Sequence, residues 1–376
     1  MKTGLEEAVA ADRHPIMDYD ALAGALRAEA GGQVSTLDYV AVDRDPHPLV
    51  QVLRKTAGRD AALAMMGFLR RRQYDSIFTN GENVGIPLAL LLKMTRKRPG
   101  HVTIGHRLST GKKRLFFKRL HVHRQMDTIF VYASTQREYA QKHLDIPSGK
   151  LALIAFHADQ SFYRPMPDVA IDPHKICSAG LEWRDYPTLI AAVEDLPELT
   201  VKLAAASPWS KHTDETASRI LPANVSARRY EYGALRDLYA SANVVVVPLY
   251  ENDFQAGVTT LLEAMAMGKA VIVSRTTGQS DVVIDGENGL MVAPGDVAGL
   301  KQAILRLQTD GTLRERLGRN AVKWVQENAT LPRWVGHLVT ALKQSSSRMS
   351  PSPSTVSQGM QNLSDRHSGT ASESSK

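Results

Sequence analysis

A polar turn that contains glycine leads into a helical pattern near residue 257 and carries groups that suit an anionic ligand. The stretch FQAGVTTLLEAMAMGKAVIVS (residues 254–274) begins polar, becomes apolar with a helical period and ends in a β-branched run. A helix that begins near Gly257 presents unpaired backbone N–H groups with partial positive charge. Gly257 allows a close approach to a ligand. Hydroxyls of Thr259 and Thr260 add donors, so the start of this helix, with Val258, is predicted to cradle a diphosphate.

Glu263 lies about one and a half turns into the same predicted helix. The packing face of that helix is covered by Leu261, Leu262, Met265 and Ala266. A carboxylate at this depth, near the ligand edge of a sheet, can accept two hydrogen bonds from vicinal hydroxyls such as those of a ribose. The alternative is an ordinary surface glutamate on an amphipathic helix, and periodicity alone leaves both open.

Short β-branched runs alternate with longer helical patterns along the chain, which predicts parallel sheets of βα units. NVVVV (residues 243–247) is too apolar for a half-exposed strand and is predicted to be buried in a parallel sheet. The loop that follows then lies at the carboxyl edge, where open α/β sheets bind ligands. The predicted strands are residues 37–42, 75–80, 101–106, 127–134 and 151–156 in the first half, and 175–180, 199–206, 224–230, 243–249, 270–274 and 289–294 in the second.

The chain of 376 residues is long enough for two domains. The polar, proline-bearing stretch at residues 161–175 is predicted to link them. The predicted organisation is a first domain over 1–164, a second domain over 165–330, a final helix over 331–343 and a disordered Ser-rich tail over 344–376. Residues 1–33 contain a helical stretch but no convincing strand before it. Either His14-Pro15-Ile16-Met17 is a vestige of that strand, or the first strand is lost or misannotated at the start.

The cysteine count and the distribution of apolar residues indicate where in the cell the protein acts. The single cysteine, Cys177, excludes an intrachain disulfide, and neither a secretory signal nor an apolar run of membrane-spanning length is seen. These features predict a cytoplasmic location.

The net charge is +7, and residues 93–124 contain no Asp or Glu. That stretch is either a solvated basic helix face or a peripheral contact with anionic membrane at the inner face of the cell membrane. Nucleic acid is an unlikely partner, because no recognised nucleic-acid module accompanies the charge.

A family resemblance rests on EAMAMGKAVI (residues 263–272) and TTGQSDVVIDGENGLMVAPGD (residues 276–296). These blocks resemble the GT-B glycosyltransferases of the family 4 type, which are retaining and depend on nucleotide sugars. The family carries two glutamates separated by seven residues, followed by Ala-Met-Ala, a small residue, Gly and a Pro/Ala-Val-Ile strand. The similarity covers roughly residues 75–330 and is strongest over 240–297. It implies an α/β fold of the GT-B class, with two Rossmann-like doubly wound domains facing each other across a central cleft. It also implies that residues 1–164 form the acceptor-side domain, that residues 165–330 bind the nucleotide sugar, and that the helix over 331–343 crosses back onto the first domain.

The resemblance implies roles at the nucleotide end of the site. Glu263 would bind the nucleotide ribose. The family places a Gly-Arg pair and a later Lys at the start of the second domain, and both cations reach the donor phosphates. This chain has Gly180 followed by Leu181, so the first cation is absent. Arg184 lies near the Lys position and can hold a diphosphate bidentately.

The resemblance also implies roles at the sugar end. The first family glutamate falls at position 255, where this chain has Gln255, which is uncharged but still able to hydrogen-bond a sugar hydroxyl. His106, at the end of the strand HVTIGH, would face the donor sugar, with a cap or surface histidine as the alternative. Tyr230, Tyr232 and Arg229 lie near the expected base pocket, or simply pack.

The implied reaction is transfer of a hexosyl group from a UDP- or GDP-sugar to an acceptor hydroxyl on a glycan or a lipid-linked molecule, with retention of configuration. It implies no metal and no cofactor besides the nucleotide-sugar co-substrate, and the leaving phosphate can accept the acceptor's proton. Two alternatives stay open from the sequence. One is a GT-B-fold binding protein with impaired catalysis, which Gln255 and Leu181 favour. The other is a nucleotide-sugar epimerase, which needs acid and base carboxylates near the sugar.

Overall fold

The computed structural model describes residues 2–30, 32–205 and 221–347. By contact density the chain divides into two compact units. The first unit contains Met1–Ser35, Ile104–His121 and Ile129–Val339, and the second contains Thr36–Thr103, Val122–Thr128 and Thr340–Lys376. Ala206, at the end of one predicted strand, and residues 348–376 of the predicted tail lie outside the described residues.

Helices and strands alternate over most of the chain. The helices are α1 Lys2–Ala10, α2 Asp18–Ala30, α3 Tyr39–Arg44, α4 Pro48–Thr56, α5 Arg59–Leu69, α6 Glu82–Leu92, α7 Gly111–Lys118, α8 Ser134–Leu144, α9 Tyr186–Val193, α10 Tyr232–Ser241, α11 Val258–Ala266, α12 Val297–Thr309, α13 Gly311–Asn328 and α14 Leu331–Ser347. The strands are β1 Ser76–Thr79, β2 Gly100–Gly105, β3 Thr128–Val131, β4 Leu151–Leu153, β5 Asp172–Ala179, β6 Thr200–Ala204, β7 Val225–Ala227, β8 Ala242–Val247, β9 Ala270–Ser274 and β10 Leu290–Val292. Ten of the eleven predicted strands are confirmed, each within a few residues of its predicted bounds.

The predicted strand at residues 37–42 is wrong, because that segment leads into helix α3. Asp38 has an extended backbone and its carboxylate accepts a hydrogen bond from the Ala41 amide at 2.7 Å, which caps the helix. Val42 is fully buried against Val50, Ala62 and Met66 of the second unit, on a helical period. The described residues contain no strand ahead of β1, so the structure has none at the first-strand position either.

The sheet of β5 to β10 has the strand order β10-β9-β8-β5-β6-β7, and every pair in it is parallel. All six residues of β8 are buried, as its apolar sequence predicts for a central parallel strand. Strands β6 and β7 lie on one side of β5, and the later strands β8, β9 and β10 lie on its other side. The order therefore reverses between β5 and β8.

The smaller sheet has the order β1-β2-β3-β4, with β1 parallel to β2 and β3 parallel to β4. Its strand β2 is followed directly by His106. The last helix, α14, extends to Ser347, four residues past the predicted end at 343. Within the first unit, Trp334 of that helix is buried and its indole N–H donates to the Tyr132 hydroxyl at 3.3 Å.

Candidate functional site

The loops that follow β5 and β8 lie together at the point where the strand order reverses. Arg184 forms an antiparallel bridge with Leu249. The Asp185 amide donates to the Pro248 carbonyl at 3.0 Å, and the Tyr250 amide donates to the Trp183 carbonyl at 3.1 Å. Crevices at the carboxyl ends of strands, at such a switch point, are where open α/β sheets bind ligands. We call the two loops, residues 180–185 and 248–257, the switch-point site.

Arg184 is a buried cation at the centre of the switch-point site, with only 7% of its surface exposed. Its Nε donates to the Ala179 carbonyl at 2.7 Å, one terminal nitrogen donates to the Glu182 carbonyl at 2.9 Å, and the other donates to the Thr260 hydroxyl at 3.1 Å. Burial lowers the pKa of the guanidinium from its usual value. Within the described residues no carboxylate forms an ion pair with it. A guanidinium has five N–H donors, so capacity remains for an anionic ligand that would also balance the charge.

Two glycines make room for this guanidinium. Gly180 has φ +91° and Gly257 has φ +76°, conformations that other residues rarely adopt. A β-carbon at Gly180 would lie 2.6 Å from Nη2 of Arg184, and one at Gly257 would lie 2.9 Å from Nη1. Each position therefore requires glycine for two reasons, its backbone conformation and its contact with Arg184.

The start of α11 carries the donors that the sequence predicts. Gly257 is the N-cap and no side chain caps the helix, and the amides of Thr259 and Thr260 have no hydrogen-bond partner among the described residues. The Thr260 hydroxyl lies 3.3 Å from the Ala179 carbonyl and contacts Arg184. Thr259 is exposed on the first turn, and the side chain of Val258 packs into the core of the first unit. Gly180, Arg184, Gly257 and Thr260 are thus brought together, and Val258 could contribute only through its backbone.

Glu263 is buried, with 8% of its surface exposed, so the alternative of a surface glutamate is wrong. Its Oε2 accepts a hydrogen bond from the Tyr239 hydroxyl at 3.1 Å, and the Tyr163 hydroxyl lies close by without bonding geometry. Burial raises the pKa of Glu263 to about 7, against the opposing effects of Tyr163, Tyr239 and the Arg184 charge. The carboxylate is therefore poised to change charge near neutral pH.

Gln255 lies in the loop between β8 and α11 and is 8% exposed. Neither its amide nitrogen nor its amide oxygen has a hydrogen-bond partner in the described part of the chain. A buried amide normally satisfies at least one of these atoms. The arrangement suits a residue whose partner is a ligand.

His106 directly follows β2 and is half-buried. Its carbonyl accepts a hydrogen bond from the Gln136 side chain at 2.7 Å, and its ring lies 5.5 Å from that of Tyr132. The next residue, Arg107, reaches the switch-point site: its Nε donates to Asp253 at 3.0 Å, two residues before Gln255. The segment that carries His106 is therefore attached to the loop that carries Gln255.

Sequence reasoning missed a cluster of residues around Arg107. The guanidinium carbon of Arg107 lies 5.3 Å from the Trp183 ring and 5.0 Å from the Phe254 ring, and the two rings meet edge to face at 6.0 Å. Trp183 also has a positive φ of 58°, which is unusual for a bulky residue. No spacing motif marks these residues, although aromatic side chains in both predicted ligand loops were a usable signal.

The three residues near the expected nucleobase pocket, Tyr230, Tyr232 and Arg229, have different surroundings. The Tyr232 ring lies 4.2 Å from that of His14, in the segment between α1 and α2. The Tyr230 ring lies under the Arg228 guanidinium at 4.3 Å, and Arg229 is 3.9 Å from Glu231 at the surface. Burial raises the pKa of the Tyr232 phenol, and the charge of Glu263 adds to this effect.

The described residues contain neither a cluster of metal-ligating side chains nor a helix that could span a membrane. None of them forms a group of three or more His, Cys, Asp or Glu side chains placed to hold a metal ion. Among the helices described here, none combines the length and apolar character needed to span a bilayer.

The fold is shared with solved structures. Sucrose-phosphate synthase from Thermosynechococcus elongatus superimposes with a TM-score of 0.65 and 21% identity, over 78% of this chain and 79% of that one. Anabaena HepE in complex with UDP-glucose superimposes with a TM-score of 0.64 and 17% identity, over 80% of this chain and 84% of that one. At these identities the likeness establishes the fold, which is GT-B, as the sequence predicts.

Residues 176–310 match the family described as glycosyl transferases group 1, and these residues run from within β5 through α12. The lipopolysaccharide core biosynthesis glycosyltransferase LpsE from Rhizobium meliloti is 30% identical over 152 residues, which are 40% of this chain and 44% of that protein. The chain spans less than half the length of the curated relatives it matches. The residues that match this family model contain Gly180, Arg184, Gln255 and the whole of α11.

Proposed function

We propose that this protein is a retaining glycosyltransferase that moves a hexosyl group from a UDP- or GDP-sugar to an acceptor hydroxyl. The observation that carries the proposal is the buried Arg184 guanidinium, which has no carboxylate partner among the described residues and lies between two glycines at the open start of α11. A diphosphate supplies the missing negative charge there. The match to the group 1 family supports the reaction class.

The proposed roles follow from charge and position. Arg184 and the amides of Thr259 and Thr260 stabilise the departing diphosphate, whose charge grows as the glycosidic bond breaks. Glu263 accepts hydrogen bonds from the ribose. Gln255 and His106 hold the sugar. The leaving phosphate accepts the acceptor's proton, so no side chain acts as a dedicated base.

The nucleobase of the donor is part of the proposal. HepE, which shares the fold, was solved with UDP-glucose. A uridine nucleotide is therefore the first donor to test, with guanosine nucleotides alongside. We propose family 4-type chemistry because the second glutamate and the block after it are present at residues 263–296.

A second candidate function is a GT-B-fold binding protein that retains nucleotide binding without catalysis. Gln255 in place of glutamate and Leu181 in place of arginine favour it. Turnover separates the candidates: the purified protein is incubated with UDP-glucose or GDP-mannose and a panel of glycan and polyprenyl-phosphate-sugar acceptors, and nucleoside diphosphate release is followed. Acceptor-dependent release supports the transferase. Binding without release supports the binding protein, and sugar interconversion without an acceptor identifies an epimerase.

A lipid-linked acceptor is proposed from helix α7, with the protein on the cytoplasmic side of the membrane. Leu115 is 56% exposed on this helix, and the exposed basic residues around it include Lys112, Arg114 and Arg119. An exposed apolar side chain among cations suits an anionic bilayer surface. Co-sedimentation with vesicles containing anionic lipid tests this idea. Binding that survives charge reversal at Lys112, Lys113, Arg114, Lys118 and Arg119 to glutamate contradicts it.

A further inference from the structure

Two neighbouring loops bury four polar side chains that each have at least one polar atom without a hydrogen-bond partner among the described residues. Asn252 and Gln255 follow β8, Thr276 and Gln279 follow β9, and their exposed fractions are 5%, 8%, 5% and 3%. Among the described residues no partner exists for Asn252 Oδ1, Gln255 Nε2 and Oε1, Thr276 Oγ1 or Gln279 Oε1. Buried polar atoms in folded proteins are nearly always hydrogen-bonded. A concentration of such atoms in one place therefore points to a missing partner.

The two loops are bonded to each other, so the four side chains belong to one compact region. Strands β8 and β9 are adjacent. The Gly278 amide donates to the Asn252 carbonyl at 3.0 Å, and the Gln279 side-chain nitrogen donates to the Ala256 carbonyl at 2.5 Å. At Gly278 there is no room for a β-carbon against the Phe254 backbone. The loop after β9 thus supports the loop that carries Gln255.

These bonds also determine which atoms remain free. The Asn252 side-chain nitrogen donates to the Tyr250 carbonyl at 2.8 Å, and that of Gln279 is used by Ala256. The free atom of each amide is therefore its oxygen, an acceptor. Gln255 offers an unpaired NH2 group that donates and an unpaired oxygen that accepts, and the Thr276 hydroxyl can act as either. A complementary ligand brings several O–H donors.

We propose that Asn252, Thr276 and Gln279 join Gln255 in a pocket that recognises the hydroxyl groups of an uncharged hexose on the donor. This inference rests on the proposed function, because Gln255 lies two residues before Gly257, where the diphosphate is proposed to bind. Asn252, Thr276 and Gln279 are specificity-determining residues in it. A sugar carboxylate is disfavoured, because its oxygens would face the acceptor oxygens of the pocket.

Calorimetry on the full chain tests the pocket through Thr276→Val, which removes the hydroxyl and keeps the shape. The measured quantity is the sugar increment, the ratio of the Kd for a nucleoside diphosphate to the Kd for its sugar conjugate. The probes are UDP with UDP-glucose and GDP with GDP-mannose. Thr277→Val is the matched control, because Thr277 is the exposed next residue in the same loop.

The variant is expected to bind the nucleoside diphosphate as the wild type does and to lose about fivefold or more of the sugar increment. Its thermal midpoint should not fall, because the deleted hydroxyl has no hydrogen-bond partner among the described residues. Thr277→Val should keep the increment. UDP-glucuronic acid and GDP-mannuronic acid should bind more weakly than their neutral counterparts.

Three results overturn the account in different ways. An unchanged increment in both Thr276→Val and the second variant Gln255→Met means that water or nothing occupies the pocket, and it overturns the inference alone. Equal binding of the uronic acid conjugates overturns the substrate class. Failure of the wild type to bind any nucleotide or conjugate overturns the proposed function itself.

Discussion

A β-carbon on Gly257 would lie 2.9 Å from Nη1 of Arg184, so the guanidinium occupies the space that any other residue at 257 would need. The same guanidinium is bonded to Thr260, one turn into α11. This relationship joins the loop after β5 to the helix after β8. The switch-point site therefore behaves as one unit, and changes at Gly257 should be felt at Arg184.

Gly257→Ala should destabilise the protein by roughly 2–5 kcal/mol, from its positive φ and from crowding of Arg184 and Val247. It should also weaken nucleotide binding at least tenfold. Urea unfolding and calorimetry measure the two effects. Gly286→Ala is the matched control, since Gly286 has φ +74° and open space around it. The control should cost only the roughly 1–2 kcal/mol of the backbone conformation and leave binding intact. Equal effects from both variants would contradict the role of the Arg184 contact.

Arg184→Met keeps the length of the side chain and removes the charge. Hydrogen bonds to charged groups contribute about 1.5–3 kcal/mol, so affinity for UDP or GDP should fall roughly 10- to 200-fold. Fluorescence or calorimetric titration measures the change. Arg319→Met is the control, because Arg319 is 70% exposed on α13, and it should leave affinity unchanged. Wild-type affinity in Arg184→Met would mean that the diphosphate does not bind at this site.

Glu263 should make stability fall as the pH rises through the neutral range. Its pKa in the folded protein is raised from 4.5 to about 7, so between these values the folded state holds a proton that the unfolded state has lost. The contribution of Glu263 to the free energy of unfolding is thus fully present below about pH 4.5 and is lost by about pH 7. Urea unfolding at pH 5, 6, 7 and 8 should show a smaller decline for Glu263→Gln than for the wild type. Glu315→Gln serves as a control, because Glu315 is exposed. The same dependence of stability on pH in all three proteins would refute the assignment of the decline to Glu263.

Nucleotide binding should release a proton near neutral pH. Ribose hydroxyls donate to a carboxylate and so favour its ionised form, which lowers the pKa of Glu263 in the complex. Affinity should therefore rise with pH up to the neutral range. Calorimetry with a nucleotide sugar, which has no terminal phosphate that titrates near neutral pH, measures the released proton at pH 6.5 in two buffers of different ionisation enthalpy, and Glu263→Gln should abolish it. No release from the wild type would mean that the ribose lies elsewhere.

The sequence predicts the geometry of the proposed nucleotide end of the site better than its surroundings. Local features define that end: glycines with positive φ, an uncapped helix start and a motif over residues 263–272. Arg107 and Trp183 join through contacts between residues far apart in the chain, which no local pattern encodes. The valines of residues 37–42 resemble a strand, but a capping aspartate at position 38 and burial of Val42 on a helical period produce α3 instead.

Burial of Glu263 also needed the structure. Periodicity places it beside the packing face of α11 but does not reveal Tyr239, 24 positions earlier, as its hydrogen-bond partner. The same limit applies to the unused amide oxygens of Asn252 and Gln279, since their free state depends on bonds to backbone carbonyls of the loop between β8 and α11.

The central claim is that a nucleoside diphosphate binds at Arg184 and the start of α11, with its ribose on Glu263. Isothermal calorimetry of the wild type and Glu263→Ala against UDP, GDP, ADP and their sugar conjugates tests it most directly. The account predicts that UDP or GDP binds selectively and that the variant loses about 1–3 kcal/mol of that affinity. No binding to any of these nucleotides, or binding that Glu263→Ala leaves unchanged, would contradict it.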